Sequence, residues 1–189
     1  MREIFLAVFV TLLAVSLIRN ALEQKRSERR YVKAIESLES AESDRARYYP
    51  LQCAAKEAFV CGKFEQAKKF ARELQSVTAG IGSDEPDAGQ GIHDANLVLG
   101  RLALRDGGID EAKEYLLAAG RTSGSPRLNS FGPNMSLAKD LLEQGEYEVV
   151  LEYFELCDLF WEMDQGRLEK WRRQVKRFLI PDFGANLIF

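Results

Sequence analysis

"NLVLGRLALRDGGIDEAKEYLLAA", Asn96 to Ala119, decides how the chain folds. Before Asp106-Gly107-Gly108 the apolar residues recur at helical spacing, and after it Ile109, Ala112, Leu116 and Ala119 do so again at steps of three and four. That period places each set on one face of a helix, and the Gly pair breaks the chain between them. The stretch therefore reads as helix, turn, helix.

Two further stretches align with it without gaps: "LQCAAKEAFVCGKFEQAKKFAREL" from Leu51 and "NMSLAKDLLEQGEYEVVLEYFELC" from Asn134. Ahead of the turn each carries a pair ending in a small residue (Ala54-Ala55, Leu99-Gly100, Leu137-Ala138), which lets two helices approach closely. The turn glycines are Gly62, Gly107 and Gly145, suited to the left-handed conformation that ends a helix. Behind them Phe64, Ile109 and Tyr147, then Ala67, Ala112 and Val150, then Ala71, Leu116 and Phe154, then Leu74, Ala119 and Cys157 line the face of the second helix.

This pattern resembles the tetratricopeptide repeat over about residues 48 to 160. The resemblance implies an all-α solenoid of three helix-turn-helix units whose first helices line a concave groove that binds a protein segment. The glycines lie 45 and then 38 residues apart, against a usual period of about 34, so the crossings between units are longer than the family's. Ser123 to Trp161 also looks like a segment of uncharacterised bacterial repeat proteins, a likeness that implies no activity.

The register yields candidate binding residues. Six places before each turn glycine stand Lys56, Arg101 and Lys139, about 200° around the helix from the seam positions four and eight places before it. In a tetratricopeptide-like stack that face lines the groove, where a row of bases attracts an acidic segment. Ten places before the glycines stand Gln52, Leu97 and Met135, a partly apolar companion row. The asparagines with which the family grips a carboxyl terminus have no counterparts here.

Outside the repeats, Ile4 to Ile18 reads "IFLAVFVTLLAVSLI", fifteen residues without a charge. The length suits either an uncleaved membrane anchor, with flanking residues extending a short span, or the apolar region of a signal peptide. Ala14-Val15-Ser16 is a poor cleavage pattern, which favours the anchor. Arg19, Lys25, Arg26, Arg29 and Arg30 follow the run, which by charge bias keeps the body cytoplasmic; a signal peptide would export it. Residues 20–47 turn charged, with Ala34, Ile35, Leu38 and Ala41 as a narrow stripe, and read as a stalk helix. At 167–189 "RLEKWRRQVKRFL" places Leu168, Trp171, Val175 and Phe178 on one face as a capping helix, and "DFGANLIF" forms a tail able to pack back onto the repeats. The basic side of that helix suits a contact with anionic lipid or RNA.

Other classes lack residues. The net charge of -3 excludes a whole-chain attraction to nucleic acid. Three cysteines and His93 as the single histidine supply neither a disulfide scaffold nor a zinc site; Cys53 and Cys61 on one helix stand about 12 Å apart, too far to bridge. "GIGSDE" and "GQGIHD" have no preceding strand and read as a flexible connection from Ala79 to Ile92 rather than phosphate loops. "TSGSPRLNSFGPN", Thr122 to Asn134, is a polar crossing with Arg127 as its sole titratable group, and Leu128 and Phe131 are expected to pin it to the core. The sequence reading is a membrane-linked adaptor or assembly factor, not an enzyme, needing no cofactor and binding an acidic protein or peptide. A scaffold that self-associates as a homo-oligomer through 20–47 is the alternative.

Overall fold

The computed structural model describes residues 2–81 and 87–187, with side chains from residue 21 onward. Among the described residues the chain is all-helical, without a strand: α1 (Arg2–Glu39), α2 (Asp44–Val60), α3 (Phe64–Ile81), α4 (Ala88–Arg105), α5 (Ile109–Gly120), α6 (Pro126–Phe131), α7 (Ser136–Glu143), α8 (Tyr147–Asp158), α9 (Arg167–Val175) and a 3-10 turn, Gly184–Leu187. Three helical hairpins, α2/α3, α4/α5 and α7/α8, occupy the three aligned stretches.

Their turns are built alike. Gly62, Gly107 and Gly145 take φ values of +72°, +88° and +87°. The amide after each glycine bonds back five residues, Lys63 to Ala58, Gly108 to Ala103 and Glu146 to Leu141, at 2.8 to 3.0 Å. Each glycine amide bonds the carbonyl three before it. These are Schellman motifs, in which a left-handed residue lets two amides satisfy the orphan carbonyls of the helix end.

The face positions read from the period are buried: Ala67, Ala112 and Val150, Ala71, Leu116 and Phe154, and Leu74, Ala119 and Cys157 are all fully covered. The small residue of the pair does what its size allows. A side chain at Gly100 would run into Leu137 of α7 and come within 2.9 Å of Tyr115 Cβ on α5, so its absence sets the approach of α4 to both.

Within residues 20–47 α1 packs against the first hairpin and α2 begins. Ala34 and Leu38 of α1 pack with Tyr48, Leu51 and Ala54 of α2, and buried Ser27 donates to the Glu57 carboxylate beside Arg30. The helix breaks at 40–43, where Ser43 caps α2 by accepting the Ala46 amide, four residues before the expected boundary. The anchor expected at 4–18 lies outside the residues whose side chains are described; among those that are, no helix is long and apolar enough to cross a membrane.

Of the connection expected to be flexible between Ala79 and Ile92, residues 82–86 lie outside the described ones, and the rest is mostly helical, with α3 running to Ile81 and α4 starting at Ala88. Gly89 and Gly91 are points of close approach: a Cβ on the first would overlap the Gly124 carbonyl, and on the second Thr78 and Tyr48. At the other end α9 closes the stack. Leu168, Trp171 and Val175 are buried, and Trp171 meets Phe154, Trp161 and Phe183 at ring separations of 6.2, 5.7 and 4.9 Å. Each such aromatic pair adds about 0.5 to 1.5 kcal/mol beyond the area it buries. Phe178, expected on that buried face, is 73% exposed, because α9 ends at Val175 and the chain turns away.

Candidate functional site

The polar crossing Thr122 to Asn134 is ordered and makes one wall of a cleft. Ser125 caps α6 by accepting the Leu128 amide at 3.0 Å, with Pro126 at the first helical position, where its missing N–H is no loss. Leu128 is buried as expected; Phe131 is 73% exposed, contrary to expectation, because Gly132 turns the chain at φ +86° against the Trp161 ring.

The cleft, about 700 Å³, lies between α2, α4, this crossing, the chain around Gln165 and Arg167, and the tail at Ala185 and Asn186. The tail packs Phe183 and Leu187 against the core, as expected, and polar contacts add to its hold. Asn186 donates from its amide group to the carbonyls of Phe131 (3.1 Å) and Pro133 (2.9 Å), and its own carbonyl accepts the Met135 amide at 2.7 Å.

The first two turns of α4 tie the walls together. Lys56 of α2 donates to Asp94 at 2.9 Å, Gln90 donates to the other Asp94 oxygen at 3.0 Å, and Ser125 donates to the Gln90 carbonyl oxygen at 3.2 Å. Burial alone would raise the Asp94 pKa; the Lys56 ammonium, with help from His93 and Gln90, holds it below its ordinary value. His93 Nδ1 faces the Ala119 carbonyl at 3.2 Å and Nε2 accepts the Asn134 amide at 3.1 Å. Since a carbonyl only accepts, the ring is neutral with its proton on Nδ1, and burial depresses its pKa. His93 is thus a buried strut inside α4, not the start of that helix.

The sequence-derived bases do not gather into one free row. Lys56 lines the cleft but is 13% exposed and committed to Asp94. Arg101 bonds Asp140 of α7 at 2.8 Å, lies over the Phe59 ring and faces a separate concavity with Arg105 and Glu143. Lys139 pairs along its own helix with Glu143 at 2.6 Å. The companion row is in the core: Gln52, Leu97 and Met135 are buried, because the first helices of successive units pack on one another and the tail covers Met135.

What spacing alone missed is Arg127. It lines the cleft, is exposed, and has no ion-pair partner among the described residues. Arg167, also lining it, stacks on Trp161 at 4.6 Å and donates to the Asp164 carbonyl at 2.7 Å. With Lys56 these set three bases against the single acid Asp94, and Phe131 stands at the edge. Away from the cleft lining, both His93 nitrogens are engaged, and burial raises the thiol pKa of Cys53, Cys61 and Cys157. Among the described residues no cluster of three side chains could hold a metal.

Among the described residues, fold and cleft together define an all-helical chain built on three hairpins, with a basic-sided cleft bounded by α2, α4, the α6 crossing and the tail. Compared with models of known protein families, with curated proteins and with solved structures, the chain gives no match.

Proposed function

We propose that this chain is a tetratricopeptide-like adaptor or assembly factor, linked to a membrane through residues 4–18, that holds an acidic protein segment in the cleft beside α6. The observation that carries the reading is Arg127, exposed and unpaired on the wall of a cleft of about 700 Å³, with Phe131 73% exposed at its edge. A guanidinium offers a carboxylate a two-pronged, charge-assisted bond, and an exposed aromatic beside it supplies apolar area at low entropic cost. Of the bases in the repeat register, Lys56 belongs to this site as a contributor of field rather than a free hand, since Asp94 already holds it. Arg101 and Lys139 would flank a longer segment only by exchanging Asp140 and Glu143 for the partner's acids.

The test is photocrosslinking in cells from a benzophenone amino acid placed at Phe131, in wild type and with Arg127→Glu. The reading expects a small set of adducts whose crosslinked peptides are acidic, weakened roughly tenfold or more by the charge reversal. Adducts that are unchanged by Arg127→Glu, or that carry no acidic peptide, would refute it.

A further inference from the structure

The end of α9 presents a second surface, distinct from the cleft. Phe178, Leu179 and Ile180 follow one another and are 73%, 53% and 42% exposed, whereas the other exposed large hydrophobics stand singly along the chain. Phe178 holds φ +58°, a left-handed conformation that suits glycine and that a bulky residue adopts only at a cost. The chain therefore projects an aromatic side chain into solvent from a position where glycine would be easier.

Charge surrounds the turn. Between Arg167 and Asp182 stand six bases and two acids, a net of +4. Lys170 and Arg173 stand on the exposed side of α9 opposite Leu168, Trp171 and Val175, and Lys176 and Arg177 are exposed in the turn just before Phe178. Glu169 reaches Arg172 and Arg173; Lys170, Lys176 and Arg177 have no ion-pair partner among the described residues. Part of the turn's backbone is already hydrogen-bonded within the protein. The Phe178 amide bonds Val175 at 2.8 Å, the Leu179 amide bonds Gln174 at 3.1 Å, the Phe178 carbonyl accepts from Tyr147 at 3.4 Å, and Pro181 has no N–H to satisfy.

We propose that this turn docks on an anionic bilayer surface, with Phe178, Leu179 and Ile180 entering the boundary between headgroups and acyl chains while Lys170, Lys176 and Arg177 meet the phosphates. Apolar area and basic charge are the two terms that drive interfacial binding, and both are supplied here within a dozen residues. RNA would use the bases and the Phe ring but has no use for exposed Leu179 and Ile180, so lipid is the better fit. The surface is independent of the partner cleft, and its test leaves Arg127 untouched.

The full chain carrying Phe178→Trp is reconstituted with vesicles of phosphatidylcholine alone or mixed with phosphatidylserine, and quenching of the added indole by lipids brominated in the acyl chain is read after subtracting the wild-type signal. Circular dichroism confirms that each variant is folded. Quenching is expected on the phosphatidylserine vesicles and little on phosphatidylcholine alone. Adding Lys170→Glu, Lys176→Glu and Arg177→Glu removes three bases worth about fivefold each, a roughly hundredfold loss of docking that returns quenching to the neutral-lipid level. Quenching that is insensitive to phosphatidylserine and survives the three changes overturns the proposal. So does a lipid-free dimer in sedimentation that Leu179→Asp dissociates, which would assign the face to a second copy of the chain.

Discussion

Gly100 and Gly107 stand seven residues apart on the same hairpin and answer to different physics. Gly107 has open space where a Cβ would go but holds φ +88°, so Gly107→Ala meets only backbone strain, about 1 kcal/mol. Gly100 lies inside α4 against Leu137 and Tyr115, so Gly100→Ala overpacks a seam and is expected to cost about 1 to 3 kcal/mol, with α7 displaced. Urea unfolding of the two variants ranks them, and a larger loss at Gly107 would contradict the packing account. His93 gives a residue-scale prediction in pH. Its folded pKa is depressed below the ordinary 6.5, so the unfolded chain takes up the proton first as pH falls. The stability that the neutral ring contributes is complete above about pH 6.5 and is lost progressively below it, down to the folded pKa. Urea midpoints should therefore drop between pH 7.5 and 5.5, and His93→Gln should be less stable at pH 7.5 yet lack that step. A lone histidine carried no partner in its sequence neighbourhood; Ala119 and Asn134 reach it from 26 and 41 residues away.

At the scale of elements, what could be read locally was read. Hairpin turns and face positions depend on residues within a few places of one another, and Gly62, Gly107 and Gly145 mark them without help from tertiary structure. Helix α6 was missed although its signal is present: Ser125-Pro126 is a cap followed by the residue best suited to a first helical position, yet it sits in a stretch whose polar composition suggests a plain loop. The start of α4 was missed because Gly89 and Gly91 usually signal turns, whereas here they are the places where other segments touch the helix. The exposure of Phe178 could not be foreseen from helical spacing, because the helix stops three residues earlier. That residue supports a prediction about trade-off. Phe178→Gly relieves the left-handed strain and forfeits only the edge contact with Tyr147 at 5.2 Å, so thermal unfolding should be unchanged or a few degrees higher. A large fall in the midpoint would mean that the turn is a structural fixture rather than a presented surface.

Across the whole molecule two of the three bases expected in the groove, Lys56 and Arg101, stitch one hairpin to the next, while Lys139 pairs within α7. Lys56 reaches Asp94 across 38 residues and Arg101 reaches Asp140 across 39, each from the first helix of one unit to the first helix of the next. Both offsets are close to one repeat, but acids stand at many positions along these helices, so spacing alone does not single out Asp94 and Asp140. The two stitches differ in depth. Lys56 and Asp94 are 13% and 4% exposed, whereas Arg101 and Asp140 are 22% and 29%. Removing one partner of a buried pair strands the other charge, so Lys56→Met should cost about 3 to 5 kcal/mol, while Lys56→Met with Asp94→Leu should recover most of it. Arg101→Met, at a wetter seam, should cost less. In a stack where each hairpin touches mainly its neighbours, stability is close to a sum of unit and seam terms, and a weakened seam lets one side open alone. Hydrogen exchange on Lys56→Met should therefore quicken the amides of α2 and α3 well before those of α7 and α8, which the aromatic cap of α9 holds. Equal acceleration along the chain would show that the three hairpins unfold as one unit and that Lys56 and Asp94 do not mark a seam.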